Sequence, residues 1–363
     1  MIGGGIAGMS AAYFMSERHD VSVVEAEKTL TYHTTGRSAA LFFETYGYGA
    51  IRPLTSASRP FLDAPPADLV DAPILTPRGA LNVARSGQED LLEEVIRAEM
   101  GGTAEVQILT GAETVRMVPA LREDRLAGGL LEPGAADIDV AGLHQAFVRG
   151  TRRRGGKIHT GAPVTSMVRG ANGWKITAGD EEMSANMVVN ASGAWGDRVA
   201  GLAGVAPVGL IPKRRTAFMV TAPEGSHAWP LVFNVAHEWY FKPDGSQLLC
   251  SPADETPSQP CDARPEEIDV ALGIERINED TTLAIRSVRS AWAGLRTFAP
   301  DGGMVIGFEP EAPGFFWLVG QGGTGIQTSP GAGMLAAALI DGNPVPASMP
   351  GLEVDQLSPA RFR

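Results

Sequence analysis

The sequence predicts an α/β dinucleotide-binding domain of the Rossmann type, interleaved with an α+β domain built on an antiparallel sheet. Three observations predict it. A glycine loop, Gly3-Gly4-Gly5-Ile6-Ala7-Gly8, runs into a small and apolar helix-forming stretch through Met15 and then into the apolar strand Val21-Ser22-Val23-Val24-Glu25. A second apolar stretch, 187–190, ends in the small-residue turn Ala191-Ser192-Gly193-Ala194-Trp195, as the carboxyl end of a parallel strand does. Residues 212–253 alternate extended stretches with turns such as Pro243-Asp244-Gly245, the material of an antiparallel sheet.

In chain order, the first element is the least complete. A dinucleotide fold needs an apolar strand of about five residues before its first glycine. Only Met1 and Ile2 precede Gly3, so this strand is expected to be truncated and the native protein to begin upstream. The loop Thr34-Thr35-Gly36-Arg37-Ser38 is expected to cap a short helix through Ala39 and Ala40. Residues 73–84 read as extended, and 88–100 as a helix with Leu91, Leu92, Val95 and Ile96 on its apolar side. Val140, Leu143 and Phe147 give 137–154 a helical period, which returns the chain to a strand at 164–168. A helix over 265–280 and strands at 290–298 and 315–319 follow. Gly322-Gly323-Thr324-Gly325 then opens a last helix reaching Gly342. No repeat or flexible linker separates the two domains, which divide as 1–72, 138–210 and 291–363 for the dinucleotide and 73–137 and 211–290 for the substrate.

Bulk composition removes several function classes. The 363 residues carry a net charge of −12, with 44% hydrophobic and 20% charged residues, against the concentrated basic face that nucleic acid requires. Of the short basic runs, Arg152-Arg153-Arg154 closes a helix, where cations suit the carbonyl end of the dipole. Cys250 and Cys261 form neither a CxxC pair nor a metal-ligand spacing, so no zinc site or disulfide framework is expected. No apolar run approaches the ~20 residues of a membrane span, and with the loop this close to Met1 no signal peptide is expected within the sequence. Cytoplasmic localisation is the resulting expectation.

The loop carries the first chemistry. In GxGxxG the first glycine permits the tight turn, the second lets the backbone approach a pyrophosphate and the third lets helix and strand pack, roles that fall to Gly3, Gly5 and Gly8. Ile6 and Ala7 begin the helix whose amide end favours phosphate charge. Glu25 closes the next strand at the distance of a ribose-binding carboxylate. A large nucleotide would need further contacts from Val164 and from Ala191, Gly193 and Trp195. The loop alone leaves NAD open.

Together with this loop and Glu25, His33-Thr34-Thr35-Gly36-Arg37-Ser38-Ala39-Ala40, Asn190-Ala191-Ser192-Gly193-Ala194-Trp195, Trp292-Ala293-Gly294-Leu295-Arg296 and Gly322-Gly323-Thr324-Gly325-Ile326-Gln327 occur in that order. The chain thereby resembles the D-amino-acid oxidase superfamily over nearly its whole length. Within it, Tyr32 to Ala40, Pro212-Lys213-Arg214-Arg215, Tyr240-Phe241-Lys242-Pro243-Asp244 and Gly323-Thr324-Gly325-Ile326-Gln327-Thr328 look most like FAD-dependent dehydrogenases of the D-arginine dehydrogenase type. The resemblance implies FAD, lying along Gly36, Arg37, Ser38 and Ala39. It also implies that Gly323, Thr324, Gly325, Ile326 and Gln327 face the isoalloxazine ring, with amides of the last helix at its N1 and C2 carbonyl side.

An amino acid substrate needs a cation for its carboxylate, and a guanidinium meets both oxygens at once. Arg296, on an expected buried strand where an unpaired charge is costly, should have an anionic partner. The resemblance singles out Arg215 from the run Lys213-Arg214-Arg215, and adds the hydroxyls of Tyr46 and Tyr240. The implied reaction moves the α-hydrogen of a D-amino acid, as hydride, to flavin N5. The imino acid formed hydrolyses to a 2-oxo acid and ammonia, with orientation as the main contribution.

Two departures bear on specificity. Leu41 stands where the D-arginine dehydrogenase type has a histidine, and Ala80 where it has a carboxylate for the substrate's guanidinium. Neutral or apolar side chains are therefore expected to be preferred, although Glu44 could restore a carboxylate. FAD is expected to be held without a covalent bond, with His33 a polar loop residue and both cysteines outside the region of flavin attachment. Secondary-amine oxidation of the sarcosine or glycine kind, 2-hydroxy acid dehydrogenation and a non-catalytic flavoprotein subunit stay open, as do quinone, flavoprotein or oxygen as electron acceptor.

Overall fold

The computed structural model describes every residue except Tyr48, Met100, Gly101 and Thr103. Its first sheet is apolar on both faces because it is covered on both. In the strand Phe315–Val319, Phe316 and Leu318 join Met9, Val189 and Leu335 on one side, while Phe315, Trp317 and Val319 join Val188 and Trp174 on the other. The helices Ile6–Met15, Val140–Arg153 and Ser329–Ile340 cover the first side, and the antiparallel strands Val164–Gly170, Gly173–Ala178 and Glu181–Ala185 cover the second.

The strand order runs Lys157–His159, Ser22–Val24, Ile2, Val188–Asn190, Phe315–Val319, Val305–Phe308, parallel up to an antiparallel last pair. Ile2 holds the central place. Its amide donates to Val189 O at 2.8 Å, and the amide of Gly3 donates to Val24 O at 2.9 Å. The glycine loop therefore leaves the sheet between the two strands whose ends carry Glu25 and the 191–195 turn.

The second sheet runs Thr256–Pro257, Ile211–Thr221, Gln247–Ser251, Tyr240–Asp244, Leu231–Asn234, Ala80–Arg85, Leu126–Glu132, Gln107–Thr110, with Ser290–Phe298 also paired to Ile211–Thr221. It is mixed rather than wholly antiparallel, because Leu231–Asn234 lies parallel to Ala80–Arg85, reached by a long excursion instead of a hairpin. Leu81, Phe218, Phe241 and Ile277 lie in the core on its far side, which the helix Glu267–Asp280 covers.

Local readings shift in four places. Thr34 does not cap, because its hydroxyl donates to Leu295 O at 2.8 Å; Thr34–Arg37 is a 3-10 turn and the chain is already extended at Ser38. Asp137 lies in the strand Ala136–Ile138, and Asp139 caps the helix Val140–Arg153 by accepting from Gly142 N at 2.8 Å. The helix expected over 88–100 is Glu89–Glu99, its last position lying outside the described residues. The last helix begins at Ser329, with Pro330 in its first turn, so residues 322–328 form turns rather than helix. The helices Ile51–Asp63 and Gly111–Met117 were not anticipated.

Candidate active site

A cavity of about 540 Å3 follows the carboxyl ends of the first sheet and is lined by Gly3, Gly5, Ile6 and Ala7 of the glycine loop. A Cβ on Gly5 would meet only Thr35 Oγ1, at 3.2 Å, a close contact with one side chain and none with backbone. Gly8 is different. Its Cβ would lie 2.0 Å from Gly3 O, and it serves the contact of helix on loop outside the cavity. Glu25 accepts from Gly4 N at 2.7 Å and Glu27 N at 2.9 Å, one bond per oxygen, leaving lone pairs on both. Ser38, Ala39, Val164, Ala191, Gly193 and Trp195 complete this wall.

A second cavity, of about 1140 Å3, opens onto the first sheet's end from the face of the second sheet. The two share Arg215, Tyr240, Arg296, Gln321 and Gly323. Among the described residues, the backbone amides of Gly323, Gly325, Ile326 and Gln327 have no acceptor. Buried or half-buried donors of this kind call for a ligand or water.

Strand register builds the polar end. Lys213 pairs with Arg296 and Arg215 with Gly294, so Arg215 and Arg296 are diagonal neighbours on one face. Arg296 donates to the Tyr46 hydroxyl at 3.2 Å and makes no ion pair among the described residues; its open side is the cavity. The anionic partner expected for it is not found among the described residues. Arg215, in contrast, donates to Asp254 O at 2.7 Å and to Glu255 at 3.2 Å, and Glu255 also holds Lys213 at 2.8 Å. Burial and then the Arg296 charge push the Arg215 pKa down from its ordinary value. Arg214 is turned away, bound to Glu266 and Asp269.

Gly323 marks where these parts meet. A Cβ there would lie 2.6 Å from the Tyr46 hydroxyl and 2.9 Å from Arg296 Nη1. The unpartnered amides thus abut the guanidinium at the junction of the two cavities. The sequence pattern of the family described as FAD dependent oxidoreductase (DAO) matches residues 1–339. The chain belongs to this family. It is 25% identical over 359 residues to glycine oxidase of Geobacillus kaustophilus strain HTA426, covering 94% of this chain and 92% of that one. Human mitochondrial sarcosine dehydrogenase is 27% identical over 286 residues, 73% of this chain and 31% of its own. The crystal structure of L-proline dehydrogenase from P. horikoshii superposes with a TM-score of 0.87 at 19% identity, over 99% of this chain and 96% of that one, a likeness of fold.

This FAD dependent oxidoreductase has residues that suit its cofactor. A dinucleotide needs a close backbone approach, which Gly5 leaves open, a ribose acceptor, which Glu25 retains, and donors for an electron-rich ring edge, which the 323–327 amides offer. Of the expected contacts, Gly36, Thr324 and Gln327 lie outside the wall of the first cavity, and Arg37 reaches it already engaged. Gly36 turns the loop, its Cβ position lying 2.3 Å from Thr31 O, outside both cavity walls. Arg37 reaches the wall with its guanidinium already bound to Tyr32 O, Ala263 O, Ala293 O and Asp262. Thr324 and Gln327 line the second cavity only; Gln327 is buried and bonded to the 43–46 segment. His33 places Nε2 3.0 Å from Glu27 and its ring 4.6 Å from that of Trp195.

Ala80, Asn82, Leu231 and Phe233 share one face of neighbouring strands and floor the second cavity, with Leu41 and Phe43 above them in its lining. Glu132 stands directly across from Ala80 and also lines it. Sequence reasoning missed Glu132 and Asn82, as well as Gln321 Nε2 and Thr297 Oγ1, which at the cofactor cavity are buried with no partner among the described residues. No local pattern marks them. Cys250 is buried and Cys261 exposed, neither in a cavity wall. Among the described residues no group of His, Cys, Asp or Glu could hold a metal, and no helix is long and apolar enough to cross a membrane.

Proposed function

We propose that this oxidoreductase oxidises a free amino acid, a D-amino acid with a neutral or apolar side chain, at the carbon bearing its amine. Arg296 carries the proposal. It is a guanidinium at the cavity junction whose protein partner is the neutral hydroxyl of Tyr46, which suits a bidentate carboxylate ligand. Tyr46 and Tyr240 add hydroxyls beside that carboxylate, and Arg215, already compensated by Glu255, contributes less.

Bound FAD supplies the hydride acceptor. The chain's own part is to fix the carboxylate on Arg296, so that the α-carbon faces the 323–327 edge of the junction with its amine neutral. Orientation of this kind is worth several kcal/mol of barrier, roughly. The α-hydrogen and its electron pair leave together, and the imino acid takes up water to give a 2-oxo acid and ammonia.

The cavity floor supports a neutral side chain. Leu41, Phe43, Ala80, Leu231 and Phe233 are apolar, and Asn82 offers one carboxamide. Each oxygen of the buried Glu132 carboxylate already holds a backbone amide of the 43–46 segment, so a substrate guanidinium would have to compete with those bonds. The D configuration rests on the likeness of the 32–40, 212–215, 240–244 and 323–328 motifs. A secondary-amine or glycine reading has its own support in the relative named glycine oxidase.

Anaerobic mixing tests the choice. The expected result is bleaching of the flavin band near ~450 nm by D-alanine or D-leucine, faster than by D-arginine, L-leucine, glycine, sarcosine or lactate. Bleaching led by glycine or sarcosine would establish the second reading, and D-arginine as the best substrate by a wide margin would overturn the neutral side chain.

A further inference from the structure

The segment 43–46, which carries Tyr46, follows the two-residue strand Leu41–Phe42 and belongs to no helix or strand. Its backbone is nonetheless fastened at successive positions. Glu132 accepts from Glu44 N at 2.7 Å through one oxygen and from Thr45 N at 3.1 Å through the other. Gln327 accepts from Phe43 N at 3.3 Å, donates to Tyr46 O at 3.3 Å and donates to Thr55 Oγ1 at 3.1 Å. These partners fix which end of the carboxamide is which. Phe43 stacks on the Tyr46 ring, with centroids 4.8 Å apart, so the two ends of the segment also pack on each other.

We infer that Glu132 and Gln327 are positioning residues, which together clamp the 43–46 backbone and thereby hold the Tyr46 hydroxyl on Arg296. The two come from different structures, Glu132 from the end of the strand Leu126–Glu132 and Gln327 from the turns that follow the last glycine run. Both are among the buried polar residues, at 5% and 2% exposure. Glu132 forms no ion pair among the described residues. Burial pushes its carboxyl pKa up from the ordinary value, with the two amide bonds acting in the opposite sense. A carboxylate kept there without a cation points to a requirement for both of its acceptor oxygens, since a carboxamide offers one.

The functional half of this inference rests on the proposed carboxylate role of Arg296 and Tyr46. Two measurements on the FAD-loaded enzyme separate the two ideas. Hydrogen exchange followed by mass spectrometry reads the clamp without substrate: Glu132→Gln should exchange amides of the 43–46 peptide at least about tenfold faster, with peptides of the glycine loop unchanged. Unchanged exchange would overturn the clamp. Reduction of the flavin by D-alanine reads the consequence: Glu132→Gln should raise the half-saturating concentration about five- to tenfold and leave the limiting rate within about twofold.

The double variant with Tyr46→Phe decides whether the effect passes through Tyr46. In that background Glu132→Gln should change half-saturation less than about twofold, whereas effects that multiply would overturn the positioning role. If Glu132→Gln does not fold, Gln327→Met cuts the other arm and is judged by the same criteria. A wild-type enzyme that D-alanine does not reduce defeats the proposed substrate, while the exchange result still judges the clamp.

Discussion

The two ends of the joined cavity bind by different means. At the glycine-loop end the work is done by backbone: Gly5 leaves room, Gly3 and Gly8 shape the turn, and Glu25 orients two amides while keeping lone pairs for a ligand. At the arginine end it is done by side chains gathered from the 43–46 segment and the strands Ile211–Thr221, Tyr240–Asp244 and Ser290–Phe298. Arg37 and Arg296 put the contrast in one residue type. Protein acceptors take four of the five donors of Arg37, which makes it a brace for the loop, whereas Arg296 has, among the described residues, one neutral partner and faces the cavity. The number of satisfied donors, rather than burial or proximity, separates a structural arginine from a binding one.

The largest expected effect tests the arginine end. Arg296→Met should lower kcat/KM for the best amino acid by about 10^2- to 10^4-fold, the range for losing a charge-assisted bidentate contact, and should leave the FAD content unchanged. Arg215→Gln should cost only about tenfold, because Glu255 and Asp254 already take two of its donors. Equal losses from the two substitutions would erase the distinction drawn here between a compensated and an uncompensated guanidinium.

The glycine-loop end gives the next effect, and it separates two glycines of one motif. Gly5→Ala meets no protein atom closer than Thr35 Oγ1 at 3.2 Å, so the apoprotein's Tm should stay within about 2 °C of wild type, while the Kd for FAD rises tenfold or more, roughly. Gly8→Ala drives a Cβ into Gly3 O and should lower the Tm of the apoprotein itself. Calorimetry of the apoproteins and titration with FAD read both outcomes.

This difference between the ends also explains what could be read from the chain. The glycine loop and Glu25 were legible because a backbone site is contiguous in sequence and each glycine has its own steric reason. Arg296 came from its place on an expected buried strand and Tyr46 from likeness to a family, since nothing near either residue announces that strand pairing and a turn will bring them to 3.2 Å. Glu132 was invisible for the same reason: only the register that sets it across from Ala80 puts a carboxylate beside a position where the local sequence has none. The misplaced start of the last helix has a different origin. Gly322 to Gly325 look like a helix opening, but glycines hold no helix by themselves, and Pro330, suited to the first turn, sets the start at Ser329.

The smallest effect concerns the brace. Arg37 holds Asp262 at 2.5 Å, and that bond keeps the Asp262 carboxyl below the usual aspartate range. A carboxyl depressed on folding contributes stability that is present above the unfolded value, about 3.9, and is lost as pH falls through the folded one. FAD affinity should therefore be insensitive to this pair between pH 5 and 8 and should weaken only in acid. Asp262 is exposed, and Arg37 keeps its bonds to Ala263 O and Ala293 O when the carboxylate is gone. Asp262→Asn should accordingly raise the FAD Kd at pH 7 by no more than about threefold. An Asp262→Asn enzyme that loses FAD as readily as Gly5→Ala would mean that the loop is held by its charge pair, and that the backbone end of the cavity depends on side-chain electrostatics after all.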